Sequence, residues 1–142
     1  MDKEGFSGID GRTTIFDYWS LHREENDLSR LYAKVLNIVR HEKAVSEGLT
    51  FDLMYVNRHC QRQYAFIRKA GNDTLLVAAN FDGGNAETWL TIPAHAFDYL
   101  SMDEKTVEAR DLISGETTTL TLSRDGQTKL LLPANGAVVL KF

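Results

Sequence analysis

The sequence predicts a mainly β protein: an antiparallel β-sandwich of about eight strands, of Greek-key type, preceded by a loop and one amphipathic α-helix. Three observations predict this class. Residues 1–26 show no sustained period, residues 27–41 repeat their apolar side chains at helical spacing, and residues 50–142 alternate with a period of two between turn residues. The change of pattern places a boundary between residues 1–49 and residues 50–142.

The first segment, residues 1–26, is predicted to be a glycine-punctuated loop with an aromatic cluster near its end. Exposed aromatic rings suit contact with a glycan, because sugar rings present apolar C–H faces that stack on them. Tyr18 and Trp19 are therefore candidate sugar-binding residues. The sequence favours the other interpretation, in which these side chains anchor the loop by burying themselves.

A helix is predicted over about residues 27–41, with Asn26 or Asp27 capping its first turn. Its apolar stripe needs a large partner surface. That surface is either the sandwich of this chain or a structure formed by residues upstream. In the second case we expect the stripe to be partly exposed, or to support self-association through the exposed helix face. The stripe consists of Leu28, Leu31, Tyr32, Val35 and Val39.

Eight apolar segments separated by Gly- and Asn-containing turns are predicted to be strands. Residues 75–79 are apolar on both faces and should form a central strand. The turns are expected to be tight hairpins, including Asp82-Gly83-Gly84-Asn85. Trp89 is a third candidate sugar platform, although its place beside Leu90 and Ile92 favours the core or an interface. The segments are residues 51–56, 64–67, 75–81, 88–92, 107–113, 118–122, 129–132 and 137–142.

Composition narrows the classes of partner. Lys and Arg number 16 against 20 Asp and Glu, a net charge of −4, and no basic run occurs. We therefore expect no nucleic-acid partner and no membrane partner. The first residues do not resemble a signal peptide, and the single Cys60 cannot form a disulfide within the chain. Neither observation fixes a compartment.

No catalytic, metal or cofactor site is predicted. The four histidines show no zinc-binding spacing, no nucleotide-binding glycine loop occurs, and the Asp82–Asn85 turn lacks the spacing of a calcium loop. None of the 20 acidic residues lies in a motif that would place two carboxyls as a catalytic acid/base pair. We therefore expect that the chain is not an enzyme by itself.

Segments spread over nearly the whole chain share one resemblance. They read GFSGIDGRTTIFDYW at 5–19, LSRLYAKVLNIVR at 28–40, AVSEG at 44–48, YAFIR at 64–68 with LLVAANF at 75–81, DLISGE at 111–116 and LLLPANGAVVL at 130–140. In this order they resemble the end of the catalytic barrel, its last helix, the turn after it, and the first and last strands of the C-terminal domain in bacterial α-amylase-family glycoside hydrolases.

The resemblance implies a non-catalytic C-terminal β-sandwich that packs on and stabilises a (β/α)8 barrel in an enzyme acting on starch-type α-glucans. The helix stripe would then face the upstream catalytic barrel of the same parent chain. The family's Gly-x-Arg-x-Asp and Asn-His-Asp motifs do not occur, and Arg110 and Asp111 are adjacent rather than spaced. The catalytic part is thus expected to lie outside this sequence. The alternative is a module that binds starch or maltooligosaccharides through Tyr18, Trp19 or Trp89.

Overall fold

A computed structural model describes residues 25–142. The chain divides into two units, Met1–Ala33 and Lys34–Phe142. Helix α1 covers Asp27–His41, which confirms the predicted helix, and a short helix α2 covers Lys43–Ser46. Both ends of α1 have local causes: Ser29 N–H donates to Asn26 Oδ1 and Asn26 N–H to Ser29 Oγ, each at 2.9 Å. Basic Arg40 and His41 suit the negative end of the helix dipole.

The described residues after α2 form eight strands and one more helix, and the strands build two antiparallel sheets. The six-stranded sheet has the order β1-β2-β3-β8-β5-β6, and the two-stranded sheet pairs β4 with β7. The predicted antiparallel β class is confirmed. The elements are β1 Leu49–Asp52, β2 Gln63–Ala70, β3 Asp73–Asn80, β4 Ala86–Ile92, α3 Ala94–Leu100, β5 Lys105–Asp111, β6 Thr117–Leu122, β7 Gly126–Leu132 and β8 Ala137–Lys141.

The hydrophobic core lies among these elements, where alternate residues of each strand point inward. Strand β3 is central, as predicted, and Leu76 and Ala78 on it have no exposed surface. Leu90 of β4 and Leu120 of β6 belong to the same core cluster. Helix α3 contributes Phe97, which fills the core as one of its largest fully buried side chains.

Several predicted turns are not hairpins. Gly71 and Gly115, with φ of 58° and 86°, do close the β2–β3 and β5–β6 hairpins. The Asp82–Asn85 turn instead carries the chain from the six-stranded sheet to the two-stranded sheet, because β3 does not pair with β4. The turns at Asp125 and Asn135 also join strands of different sheets. Positive φ serves a corner as well as a hairpin, so turn residues alone do not distinguish them.

Strand β1 is shorter and earlier than the predicted strand over residues 51–56. Met54 N–H donates to the carboxylate Oδ1 of Asp52 at 2.7 Å, and this local bond turns the chain out of the strand. Leu53 is nevertheless fully buried, because the turn inserts it into the core. Helix α3 was not predicted: its buried side chains Ala96, Phe97 and Leu100 span too short a segment for a helical period to be recognised.

Candidate functional site

The apolar stripe of α1 is solvent-exposed along its whole length. No residue of this 15-residue helix is buried, and Leu36, beside the predicted stripe, exposes 63% of its surface. The five predicted interface residues, all exposed, are Leu28, Leu31, Tyr32, Val35 and Val39.

The segment that follows α1 is fastened to the six-stranded sheet. Arg68 on β2 donates from Nε to the Ala44 carbonyl at 2.8 Å and from Nη2 to the Gly48 carbonyl at 2.9 Å. Lys141 Nζ on β8 lies 2.6 Å from Glu42 Oε2, and this bond raises the pKa of the Lys141 ammonium. Three residues of the connection, Glu42, Ala44 and Gly48, are therefore bonded to the sheet.

The sequence of this connection has a steric reason. Ala44 is completely buried, and a Cβ added to Gly48 would lie 2.1 Å from the Ala44 carbonyl oxygen. A side chain at residue 48 would therefore displace backbone, which real structures avoid. This close approach explains the small residue and the glycine in the AVSEG segment.

Trp89 is not a core residue, so of the two locations that the sequence favoured for it, the core and an interface, the core is wrong. It lies on β4 and exposes 46% of its surface, whereas Leu90 and Ile92 are buried and each expose only 1%. Successive side chains of a strand point to opposite faces. If Leu90 and Ile92 point inward, Trp89 must point outward, so the alternation already contained the signal.

The ion pair of Lys129 and Glu87 lies beside Trp89. The partner of Trp89 across the ladder is Lys129 of β7, whose Nζ lies 5.8 Å from the ring centroid. The same Nζ lies 2.7 Å from Glu87 Oε2. An open concavity of about 390 Å³ adjoins the ring, within the size range of small-ligand sites. Besides Trp89, its walls include His59, Gln63, Glu87 and Gln127.

The free edge of β4 is covered by two side chains that sequence reasoning did not assign. Asn57, fully buried, donates from Nδ2 to the Thr91 carbonyl at 2.9 Å and accepts from Thr91 N–H at 2.8 Å. The His59 ring donates from Nε2 to the Trp89 carbonyl at 3.0 Å. These bonds satisfy backbone groups that an edge strand otherwise leaves open, and they hold the Trp89 backbone in place.

A second aromatic cluster lies at β1 and α3, with Phe51 half-buried and with Tyr55 and Tyr99 exposed. Phe51 packs edge-on against His95 with ring centroids 5.2 Å apart, and the Tyr55 hydroxyl contacts His95 Nε2. Tyr99 lies 6.0 Å from the Phe51 ring. Sequence reasoning missed this cluster because its members come from elements that are far apart in the chain. Tyr18 and Trp19 lie outside the described residues.

The carboxylate of Asp111 has a structural role at the end of β5. Its Oδ1 accepts from Val139 N–H at 2.9 Å and from Ile113 N–H at 3.1 Å, and its Oδ2 accepts from Ser114 N–H at 3.0 Å. Burial raises the pKa of this carboxyl, but the hydrogen bonds outweigh burial and lower it. Asp111 thus fixes the β5–β6 turn.

Within residues 25–142, no three His, Cys, Asp or Glu side chains are placed to hold a metal ion. None of the helices in that part of the chain has the length and apolar composition needed to cross a membrane. Burial raises the pKa of the Cys60 thiol, which disfavours the reactive thiolate.

Comparison with known proteins identifies the family. The family model described as "Alpha amylase, C-terminal all-beta domain" matches residues 55–142. The chain belongs to this family. Domains of this family are in general non-catalytic. No curated protein matches the chain.

Solved structures share the fold of this amylase C-terminal domain. A maltogenic alpha-amylase, AmyB, from Thermotoga neapolitana is 14% identical, with a TM-score of 0.66 over 86% of this chain and 27% of the enzyme. The alpha-amylase of Geobacillus thermoleovorans is 16% identical, with a TM-score of 0.62 over 92% of this chain and 25% of the enzyme. The chain thus spans about a quarter of the length of these enzymes. At such low identity the likeness shows the fold alone.

Proposed function

We propose that this chain is the C-terminal part of an amylase-family glycoside hydrolase that acts on starch-type α-glucans, and that it packs on and stabilises the catalytic barrel. In this proposal residues 1–49 form the end of the barrel and residues 50–142 form the sandwich domain. The observation that carries it is the exposed apolar stripe of α1. Exposed apolar surface of this extent marks a contact site.

The fastening of the connection supports the same proposal. Arg68 and Lys141 fix the segment after α1 on the six-stranded sheet. A rigid connection lets a domain stabilise its neighbour, because little conformational freedom is lost when the two surfaces meet. Each hydrogen bond to a backbone carbonyl from a charged side chain contributes about 1.5–3 kcal/mol.

The first test asks what polypeptide carries this sequence in the cell. An antibody raised against the 142-residue chain is expected to detect a protein several times its mass that hydrolyses starch. Detection of the 142-residue species alone contradicts the proposal.

The second test asks whether the stripe contacts the barrel in that parent enzyme. Replacing Leu31 and Val35 by lysine puts two charges into the contact and should speed thermal inactivation of starch hydrolysis at least tenfold. The matched control replaces Ala33 and Asn37 by lysine, with the same spacing on the opposite face of α1. Equal inactivation rates for the two variants would remove the stripe from the interface.

A second candidate function is glycan binding by the domain, and the observation that favours it is the exposure of Trp89. An aromatic ring on the surface offers a flat apolar face to a sugar. Isothermal calorimetry with maltoheptaose, together with mobility on starch-containing native gels, tests it. If millimolar maltoheptaose gives no heat and starch does not retard the chain on the gel, this candidate is eliminated. The barrel-packing proposal is not affected by that result.

A further inference from the structure

The outer face of the two-stranded sheet combines an aromatic ring with hydrogen-bonding groups. We call the Trp89 surface the set of four exposed side chains Glu87, Trp89, Gln127 and Lys129. They belong to two paired strands, with Trp89 directly opposite Lys129 and with Gln127 two residues before Lys129 on β7. Their relative positions are therefore set by the backbone hydrogen bonds of the sheet rather than by a loop.

The backbone that carries the Trp89 ring is held at both edges of β4. The ladder to β7 holds one edge of β4, and His59 and Asn57 hold the other through the bonds to the carbonyl of Trp89 and the backbone of Thr91. A ring with two side-chain torsions on a fixed backbone loses little freedom when a ligand stacks on it. The Trp89 surface is therefore preorganised.

The polar groups suit an uncharged polyol. The Glu87–Lys129 pair cancels its own charge at 2.7 Å, so the surface favours neither an anion nor a cation strongly. The pair still keeps hydrogen-bonding capacity, because a carboxylate offers about four lone-pair positions and an ammonium three donors. The exposed amide of Gln127 adds both a donor and an acceptor.

We propose that the Trp89 surface is a glucan-binding site, in which one pyranose unit of an α-glucan stacks its C–H face on Trp89 and bonds its hydroxyls to Glu87, Gln127 and Lys129. The proposal rests on the glycan-binding candidate and locates its site. It takes no catalytic step and needs no cofactor. Its elements are the exposed ring, the neutral ion pair beside it, and the adjoining concavity of about 390 Å³.

Fluorescence gives a direct readout, since the chain contains only two tryptophans, Trp19 and Trp89. In the Trp19→Phe variant, Trp89 is the sole indole. We expect a saturable change in its emission as maltoheptaose is added, with the same dissociation constant that calorimetry gives. Unchanged emission while calorimetry reports binding would show that the sugar lies elsewhere and would overturn the site.

Substitution gives the second readout. Trp89→Ala should weaken maltoheptaose binding at least about tenfold, the usual cost of removing an aromatic anchor. Gln127→Ala should weaken it about threefold or more. The matched control is Tyr99→Ala, which removes another exposed ring away from the Trp89 surface. Thermal unfolding of each variant checks that the exposed substitutions leave the fold intact.

The outcomes separate this site from the function on which it rests. Binding that survives Trp89→Ala overturns the site but leaves glycan binding by the chain intact. If the unmodified chain does not bind maltoheptaose, both the Trp89 site and glycan binding by the chain are refuted. The proposal that the chain packs on a barrel is not affected. Cellohexaose, a β-linked glucan, is the comparison ligand that tests the linkage. Equal affinity would overturn the assignment to α-glucans.

Discussion

Helix α1 and the sandwich carry equally regular apolar patterns, yet only one of them buries its pattern. Leu76 and Leu120 of the sandwich are fully buried, whereas no residue of α1 is. The helix begins at its own Asn26–Ser29 cap, so local bonds are enough to set its start. A 15-residue helix without a packed face is only marginally stable in water. Periodicity thus specifies the element, and burial depends on a partner.

The largest expected loss of unfolding free energy comes from a substitution in the sandwich core. Leu120→Ala removes a fully buried side chain and leaves a cavity, so the free energy of unfolding should fall by about 2–5 kcal/mol. The matched change on α1, Leu36→Ala, removes an equal side chain that is already exposed and should cost no more than about 0.5 kcal/mol. Urea unfolding followed by circular dichroism measures both. Similar losses of unfolding free energy in the two variants would contradict the contrast between the buried core and the exposed helix.

A smaller effect is expected at Asp111, where the sandwich depends on a charge rather than on apolar contact. Asp111→Asn replaces one accepting oxygen by an NH2 group facing the backbone N–H groups, and should cost about 1–3 kcal/mol at neutral pH. The control is Asp103→Asn, an exposed carboxylate that changes the net charge equally.

The pH dependence at Asp111 has a definite sign. The folded chain lowers the pKa of this carboxyl below its ordinary value of 3.8, so its stabilisation is present above that value. It is lost as the pH falls through the lower folded pKa. The difference in unfolding free energy between the unmodified chain and Asp111→Asn should therefore shrink from pH 6 towards the acid limit, about where carboxyls titrate. A difference that is constant over this range would rule out the carboxylate as its source.

The features that could be predicted from the sequence have local causes. The limits of α1 follow from its N-terminal cap and from the spacing of its apolar residues. The features that could not be predicted have distant causes. Asn57 covers the edge of β4 through bonds to Thr91, 34 residues away, and nothing near Asn57 indicates this. The division of the turns between hairpins and sheet changes also depends on which strands pair.

Trp89 lies between these cases. The alternation of β4 contains its orientation, since its neighbours Thr88 and Leu90 are both buried. The alternation does not reveal which strand pairs with β4. Without the pairing to β7, neither Lys129 nor Gln127 can be placed beside the ring. The element was predictable from the sequence, whereas the composition of the surface around the ring required the pairing.

The smallest expected effect on stability concerns the stripe of α1, where the change should appear in association instead. An exposed apolar face that finds no other partner is buried by a second copy, so the isolated chain should form dimers or higher species at high concentration. Leu31→Lys with Val35→Lys should shift the chain to monomer and change its unfolding free energy by no more than about 0.5 kcal/mol per site. Light scattering after size exclusion measures the mass.

Ala33→Lys with Asn37→Lys adds the same charge to the opposite face and should leave the association in place. Dissociation by both pairs would point to net charge as the cause, and a monomer at every concentration would mean that the stripe does not bind its own copy.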